Sequence, residues 1–379
     1  MNHQQKQISI LTITLVASLG GFLFGFDMAV ISGVLPLVQK QFTLSAAQEG
    51  WFVSSALVGC IIGVAFSGEL SDRLGRKKPL LLTAILFILS ALGCAFMPNL
   101  AGVITSRLIG GIGIGIASNV VPLYISEIAP SAIRGRLVTY YQFALTFGIL
   151  VAYLSNAALL SSVDHSAAGS AINDIFNAQV WRGMLGLGVV PAALFFAGLL
   201  MIPESPRWLI QKGRKAEGYA IISSITKRSI SEVQAGQEQA PKQNDTGSYK
   251  ELFAPGMRKA LLIGILLPLF SQFSGINAII YYGPSILSNA GISLSNSLIS
   301  QIIFGLANML FTLIAIWKVD SWGRRPLYLY GTAGATITLL LTGFCFYYGA
   351  TTSIWLLVCV LAFLACFAFS IGPLKFVVA

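Results

Sequence analysis

Charge is what this chain of 379 residues has least of: Asp, Glu, Lys and Arg together make up 10% of it. A soluble domain carries roughly 25%, so the water-soluble enzyme classes are set aside at the outset. Acidic residues are scarcer than basic ones, 14 against 24. Histidine occurs twice, at His3 and His165, both in polar segments. The five cysteines (Cys60, Cys94, Cys345, Cys359, Cys366) fall within apolar runs. They have no metal-ligand spacing and form no readable disulfide framework. This inventory assembles no nucleophile–base pair and no metal cluster, so neither enzymatic activity nor a bound cofactor or metal is expected. The net charge of +10 could suggest nucleic acid, but the basic residues sit in short loops between apolar runs. That is the topology signal of membrane proteins, so the expected partner is a lipid bilayer and not a nucleic acid.

What the chain has in abundance is apolar sequence, at 55%. A membrane span needs ~20 mostly apolar residues. On that rule helices are expected at about 8–37, 47–70, 79–97, 101–127, 137–160, 181–202, 260–288, 296–317, 327–348 and 354–376. The first has no small-residue cleavage site after it and reads as an uncleaved helix. Lys and Arg crowd alternate loops: 72–78, 128–136, 203–259 and 318–326. The intervening loops hold Lys40 and little else. This alternation places the N-terminus and the basic loops in the cytoplasm. The one long polar stretch, 203–259, contains an amphipathic portion, Arg207 to Arg228, suited to short helices. Its Ser231–Ser248 part reads as a flexible linker.

That stretch divides the chain into an N-terminal half of six spans, 1–202, and a C-terminal half, 260–379, and the halves resemble each other. Asp72-Arg-Leu-Gly-Arg-Lys follows the second span, and Asp320-Ser-Trp-Gly-Arg-Arg follows the second span of the second half. Gly25-Phe-Asp27 with Gly33 six residues on is matched by Gly275-Ile-Asn277 with Gly283. The two offsets are 248 and 250 residues. Parallel halves around a midplane site are the build of major facilitator transporters. The expected fold is therefore an all-α membrane protein of the major facilitator type, with two six-helix halves. Only about four spans of the second half are readable. Carried forward, the repeat expects the chain to stop inside its tenth helix, about ten of twelve spans being present.

One residue stands out in the first span: Asp27 is the single charge between Ile8 and Leu37. A carboxylate at that depth costs at least ~2.5–3.5 kcal/mol on insertion scales, and such groups mark ion or substrate pathways. Arg107, the only charge within the fourth span, is its candidate partner. Burial and a neighbouring arginine act on a carboxyl in opposite directions. A titration linked to rearrangement, and hence proton coupling, is physically available. A static structural ion pair is the alternative. Asn277, the counterpart of Asp27, stands near Gln272, Tyr281 and Tyr282, while Gln142 lies in the fifth span and Asn308 in the eighth. Amides both donate and accept, which suits a neutral polyhydroxylated ligand, and Phe24 and the tyrosines can stack on its C–H faces. Amides that only tie helices together are the alternative. Gly110-Gly-Ile-Gly-Ile-Gly115 is not preceded by a strand, and close helix packing explains it better than a nucleotide loop.

Several motifs together resemble the sugar porter family of the major facilitator superfamily. They are Gly68-Glu-Leu-Ser-Asp-Arg-Leu-Gly-Arg-Lys77, Arg107-Leu-Ile-Gly-Gly, Glu127 followed by Arg134-Gly, Pro203-Glu-Ser-Pro-Arg-Trp-Leu209, Gln272-Phe-Ser-Gly-Ile-Asn-Ala-Ile-Ile-Tyr-Tyr282, and Asp320 with Gly323-Arg-Arg-Pro326. The resemblance covers essentially the whole chain. It implies movement of a monosaccharide or polyol by alternating access. Bacterial proton symporters of the family carry an Asp where Asp27 stands and an Arg where Arg107 stands, whereas facilitators typically have Asn at the first position. The resemblance thus implies proton symport through Asp27 and Arg107, in a monomer of a bacterial inner membrane driven by the proton gradient. It also implies sugar contacts at Phe24, Gln142, Gln272, Asn277, Tyr281 and Asn308. A cytoplasmic salt-bridge network is implied at Asp72, Arg73, Arg76, Glu127, Arg134, Glu204, Arg207, Asp320, Arg324 and Arg325. The chain departs from the family pattern at Ser271, where a first glutamine is usual. It departs again at Ile149, where a symporter carries a further sugar-binding Gln, and at Phe376, where a Trp is usual. An uncoupled sugar, polyol or inositol facilitator, a non-transporting fragment and a transporter-like nutrient receptor are the competing expectations.

Overall fold

The computed structural model describes residues 9–131, 133–161, 179–226, 229–238, 256–289, 294–322, 324–349 and 354–372. Among them every regular element is helical, and nine helical stretches are long and apolar enough to cross a membrane. A tenth, shorter apolar helix covers Trp355–Ile371. The first half comprises α1 (Ile10–Phe42), α2 (Ala46–Leu74), α3 (Lys77–Phe96), α4 (Leu100–Ile128) and α5 (Arg134–Ser161), followed by a sixth span in two pieces, α6 (Val180–Gly186) and α7 (Val189–Met201). Its helix starts are set locally. Ser9 and Asn99 cap α1 and α4, and Ser45 and Gln48 form a reciprocal capping box at α2. Helix α1 runs on past the expected end, through Pro36 to Phe42, so Lys40 lies in its last turn.

The polar segment folds into α8 (Pro206–Gln211), α9 (Lys215–Thr226) and α10 (Ile230–Glu238). The expected flexible stretch from Ser231 therefore opens as helix, and its remainder lies outside the described residues. The second half holds a seventh span in two pieces, α11 (Arg258–Phe273) and α12 (Ile276–Asn289), then α13 (Leu294–Trp322), α14 (Arg324–Tyr347) and α15 (Ile354–Cys366). A π-helical turn, Phe367–Ile371, continues α15.

Side-chain burial is arranged for a bilayer. Large apolar residues such as Ile61, Phe66, Leu194, Phe270 and Leu340 point outward and stay exposed, while backbone polar groups are closed within each helix. Helix α1 packs on α5, and α2 and α3 pack on α4. The Gly110–Gly115 run serves that packing: Gly111 and Gly115 sit against the backbone carbonyls of Ala56 and Cys60 on α2. The two halves meet where α5 packs on α13 and α1 on α12. One buried apolar cluster runs across that seam, from Phe26 and Ile149 to Ile280, Phe304 and Phe363.

The repeated glycines do different work in the two halves. A Cβ at Gly25 would collide with the carbonyl oxygen of Leu145, so this glycine sets how closely α1 approaches α5. Gly275, its counterpart, has φ +84 and makes the break between α11 and α12; a side chain there would be strained. Gly25→Ala is expected to destabilise the bundle by ~1–3 kcal/mol, since the obstacle is backbone rather than a movable side chain. A fall in melting temperature in detergent checks this.

Candidate functional site

Between the halves lies a cavity of about 470 Å³, within the range of small-molecule sites. The first half contributes Phe24 and Met28 from α1, Cys60 from α2, Ser118 from α4, and Gln142, Thr146 and Ile149 from α5. The second contributes Gln272, Ile276, Asn277, Asn308, Thr312 and, from the π turn, Phe367 and Ala368. Five of the six expected sugar-contacting residues thus share one cavity: Phe24, Gln142, Gln272, Asn277 and Asn308. The sixth, Tyr281, does not line it. Tyr281 is buried in the apolar seam one turn beyond Asn277 and lies within electrostatic range of Asp27 and Arg107.

The amides are only partly engaged with each other. Asn277 Nδ2 donates to Gln272 Oε1 at 2.9 Å, whereas the Oε1 of Gln142 is buried without a partner. A buried amide oxygen left unpaired costs ~1–3 kcal/mol, so this atom favours a ligand hydroxyl. Ile149, at the family departure, adds apolar wall in place of an amide. Sequence reasoning did not single out Met28, Cys60, Ser118, Thr146, Thr312 or Phe367. Apart from their helical phase relative to Phe24, Gln142 and Asn308, nothing in the sequence marks them as cavity residues.

Asp27 does not line this cavity. Phe24 and Met28 occupy the cavity face of α1, and Asp27 turns towards α4, where its Oδ1 lies 4.0 Å from Arg107 Nη1. That distance is at the outer limit of an ion pair and makes no hydrogen bond. Arg107 is 2% exposed. Its Nε donates to the Phe52 carbonyl at 3.3 Å, and its guanidinium sits 5.5 Å from the Phe52 ring centroid. Its Nη1 has no hydrogen-bond partner. The two charges therefore neighbour each other without being locked together.

At the end of the bundle bearing the basic loops, part of the expected network closes. Arg76 grips Glu127 with two bonds, Nε–Oε2 2.9 Å and Nη2–Oε1 2.8 Å. It also reaches Asp72 Oδ1 at 3.2 Å and the Ser71 carbonyl at 2.8 Å. Glu204 joins not as an ion-pair partner but as a cap. It accepts the backbone amides of Arg76, Lys77 and Ser205, where the bare N–H groups of α3 favour an anion. Ser205 Oγ, which sequence reasoning missed, donates to Glu127 Oε2 at 2.6 Å. Other expected members stand apart. Arg73 pairs with Glu69 on the exposed face at 2.5 Å, and Arg134 makes a long bond, 3.5 Å, to the Ala129 carbonyl. Arg207 takes part in an interaction of its own, and Arg325 is exposed. The side chains of Asp320 and Arg324 lie outside those described.

A helical bundle in two parallel halves, with a polar-lined cavity at their interface and a charged pair within the membrane, defines a membrane transporter of the major facilitator fold. The chain belongs to the sugar (and other) transporter family, whose match covers residues 13–379. It is 39% identical over 369 residues to the arabinose-proton symporter of Bacillus subtilis, covering 97% of this chain and 78% of that protein. It is 38% identical over 408 residues to the D-xylose-proton symporter of Escherichia coli K12, covering all of this chain and 80% of that protein. A solved structure of the E. coli xylose transporter, in a partially occluded inward-open conformation, superposes with a TM-score of 0.81 at 35% identity. That match covers 97% of this chain and 88% of the other. These relatives are transporters, not enzymes.

Proposed function

We propose that this protein carries a monosaccharide across a bacterial inner membrane by alternating access, with a proton entering alongside through Asp27. The observation that carries the reading is the cavity between the halves. It presents unfilled amide groups suited to a neutral polyol on one face of α1, and an ionisable carboxyl stands on the adjoining face. The sugar rests between Gln142 of the first half and Gln272, Asn277 and Asn308 of the second, against Phe24. Protonation of Asp27 removes its attraction to Arg107 and frees α1 and α4 to shift. The Arg76–Glu127 cluster and the Glu204 cap brace the cytoplasmic end, and the Lys- and Arg-rich loops set the N-terminus on that side. The working unit is taken to be a monomer of two halves, 1–202 and 260–379, joined by 203–259. The proton gradient is its driving force and no cofactor is invoked.

Binding tests the site. Titrating pentoses and hexoses against the purified protein by thermal shift identifies the sugar. Gln142→Ala is then expected to weaken its binding about tenfold, the worth of one hydrogen bond of ~1.4 kcal/mol. Unchanged affinity in that variant would remove the cavity from the sugar pathway.

A further inference from the structure

Asp27 borders a second, separate space. Helices α1, α3 and the break in the sixth span enclose a chamber of about 20 Å³. Its walls are Leu23, Phe26, Asp27 and Val30 of α1, Phe87, Ser90, Ala91 and Cys94 of α3, and Leu185 with Gly188. None of these residues lines the sugar cavity. A water molecule needs roughly 10–15 Å³ of such space and two to four polar partners. The chamber supplies three: the Asp27 carboxyl, the Ser90 hydroxyl and, one turn along, the sulfur of Cys94, whose S–H is directed to the Val103 carbonyl at 3.9 Å. At the chamber wall the sixth span tightens by one turn: Gly188 N–H turns back to the Leu185 carbonyl at 3.2 Å, and Val190 N–H takes the Leu187 carbonyl at 3.1 Å in place of the bond that Pro191 cannot make.

We propose that this chamber binds a single water molecule, held by Asp27, Ser90 and Cys94, and that Asp27 exchanges this water, not the sugar, against Arg107. The proposal rests on the proton-coupled reading above and adds to it where the carboxyl finds its hydrogen-bond partner. Other ionisable groups face Asp27 from the surrounding helices: Arg107 on α4, Cys60 on α2, Cys94 on α3 and Tyr281 on α12. Arg182 on α6 acts on Cys94 from the outer end. Arg107 is the cation that competes for the carboxylate at its ion-pair distance. The water is the neutral partner, able to serve the carboxyl in either protonation state because it both donates and accepts. Ser90 and Cys94 are thus positioning residues for the proton site. The sugar cavity and the chamber lie on adjoining faces of α1 and share no lining residue, so coupling passes through the placement of α1 and not through contact between sugar and proton site.

The test uses Ser90→Ala, which removes a water ligand, and Ala91→Val, which fills the chamber. Each is compared with the parent protein in lipid vesicles. Sugar-induced thermal shift serves as the folding control. The carbonyl stretching band of protonated Asp27, assigned by its loss in Asp27→Asn, is followed by infrared difference spectroscopy during a pH titration. In both variants the band is expected to move to higher frequency, as for a carboxyl that has lost a hydrogen bond. The pH of half-maximal sugar uptake is expected to move upward by roughly 0.5–1 unit, the worth of one hydrogen bond to the carboxylate. A band and a pH midpoint unmoved in both folded variants would overturn the water site while leaving coupling through Asp27 intact. If the parent protein fails to concentrate sugar, the coupling reading falls instead, and the band shift alone still decides the chamber.

Discussion

Vesicles carrying the Asp27→Asn protein are expected to equilibrate sugar but not to concentrate it. The substitution keeps the shape of the side chain and removes its charge and its titration. The carboxylate sits 4.0 Å from Arg107 Nη1 without a hydrogen bond, the neutral side chain mimics the protonated state that the coupled cycle itself visits, and Arg107 retains its Phe52 contacts. Exchange of labelled sugar across the membrane is therefore retained, while the link to the proton gradient is lost. A membrane potential of about 100 mV supplies ~2.3 kcal/mol per proton. That corresponds to a sugar concentration ratio of about 50, since each ~1.36 kcal/mol is a factor of ten. In Asp27→Asn the ratio is expected to fall from that order to one. The sign with pH follows from the direction of flow. Protons enter with sugar, so uptake turns the outside medium alkaline, and raising the external pH lowers accumulation. Continued accumulation in Asp27→Asn would overturn the coupling, and a parent protein whose uptake stops at equal concentrations would be a facilitator.

Much of this arrangement was legible in the sequence because the forces that shape it are local or periodic. Apolar length sets the spans, and Gly25-Phe-Asp27 and Gly275-Ile-Asn277 at matched offsets in the two halves point to a site between them. Asp27, Gln142 and Asn308 could be singled out because polar groups inside a bilayer are costly and few. What stayed hidden depends on distances along and between helices. Tyr281 is four residues from Asn277 and shares its helical face, but one turn is about 5.4 Å of rise, and the cavity ends within that turn. Glu204 reads as one more charge of a network, and only the approach of its loop to the start of α3 makes it an amide cap. The tightening at Leu187–Gly188 has a local cause, since Pro191 lacks the N–H that would bond the Leu187 carbonyl and Gly186 and Gly188 flank it, but the apolar length of the span masks that signal. Which face of α1 Asp27 occupies relative to the sugar cavity followed only once α4 and α5 were placed on its two sides.

Glu127→Ala is expected to destabilise the molecule by several kcal/mol. Arg76 and Glu127 have side chains only 6% and 4% exposed, and they meet through two short bonds. Removing one member of a buried pair costs ~3–5 kcal/mol, and the one carboxylate that Arg76 keeps, Asp72 at 3.2 Å, is solvent-exposed. Here the Ser205 hydroxyl would lose its acceptor as well. The exposed Arg214–Glu217 pair is the natural control. Its bond of 2.6 Å is just as short, and the Arg214 guanidinium holds the Glu217 carboxyl below the usual carboxylate range. A carboxyl lowered in this way adds stability above its usual titration range and loses it as the pH falls through the lowered value. In solvent, however, such pairs contribute little. Glu217→Ala should therefore leave the melting temperature in detergent almost unchanged, while Glu127→Ala lowers it sharply. The double variant Arg76→Met with Glu127→Leu separates charge from packing. With no stranded ion, apolar side chains of similar volume should recover most of the loss. If the double variant melts as low as Glu127→Ala, the cluster acts through its hydrogen bonds to Ser71, Asp72 and Ser205 and not through the buried charge pair.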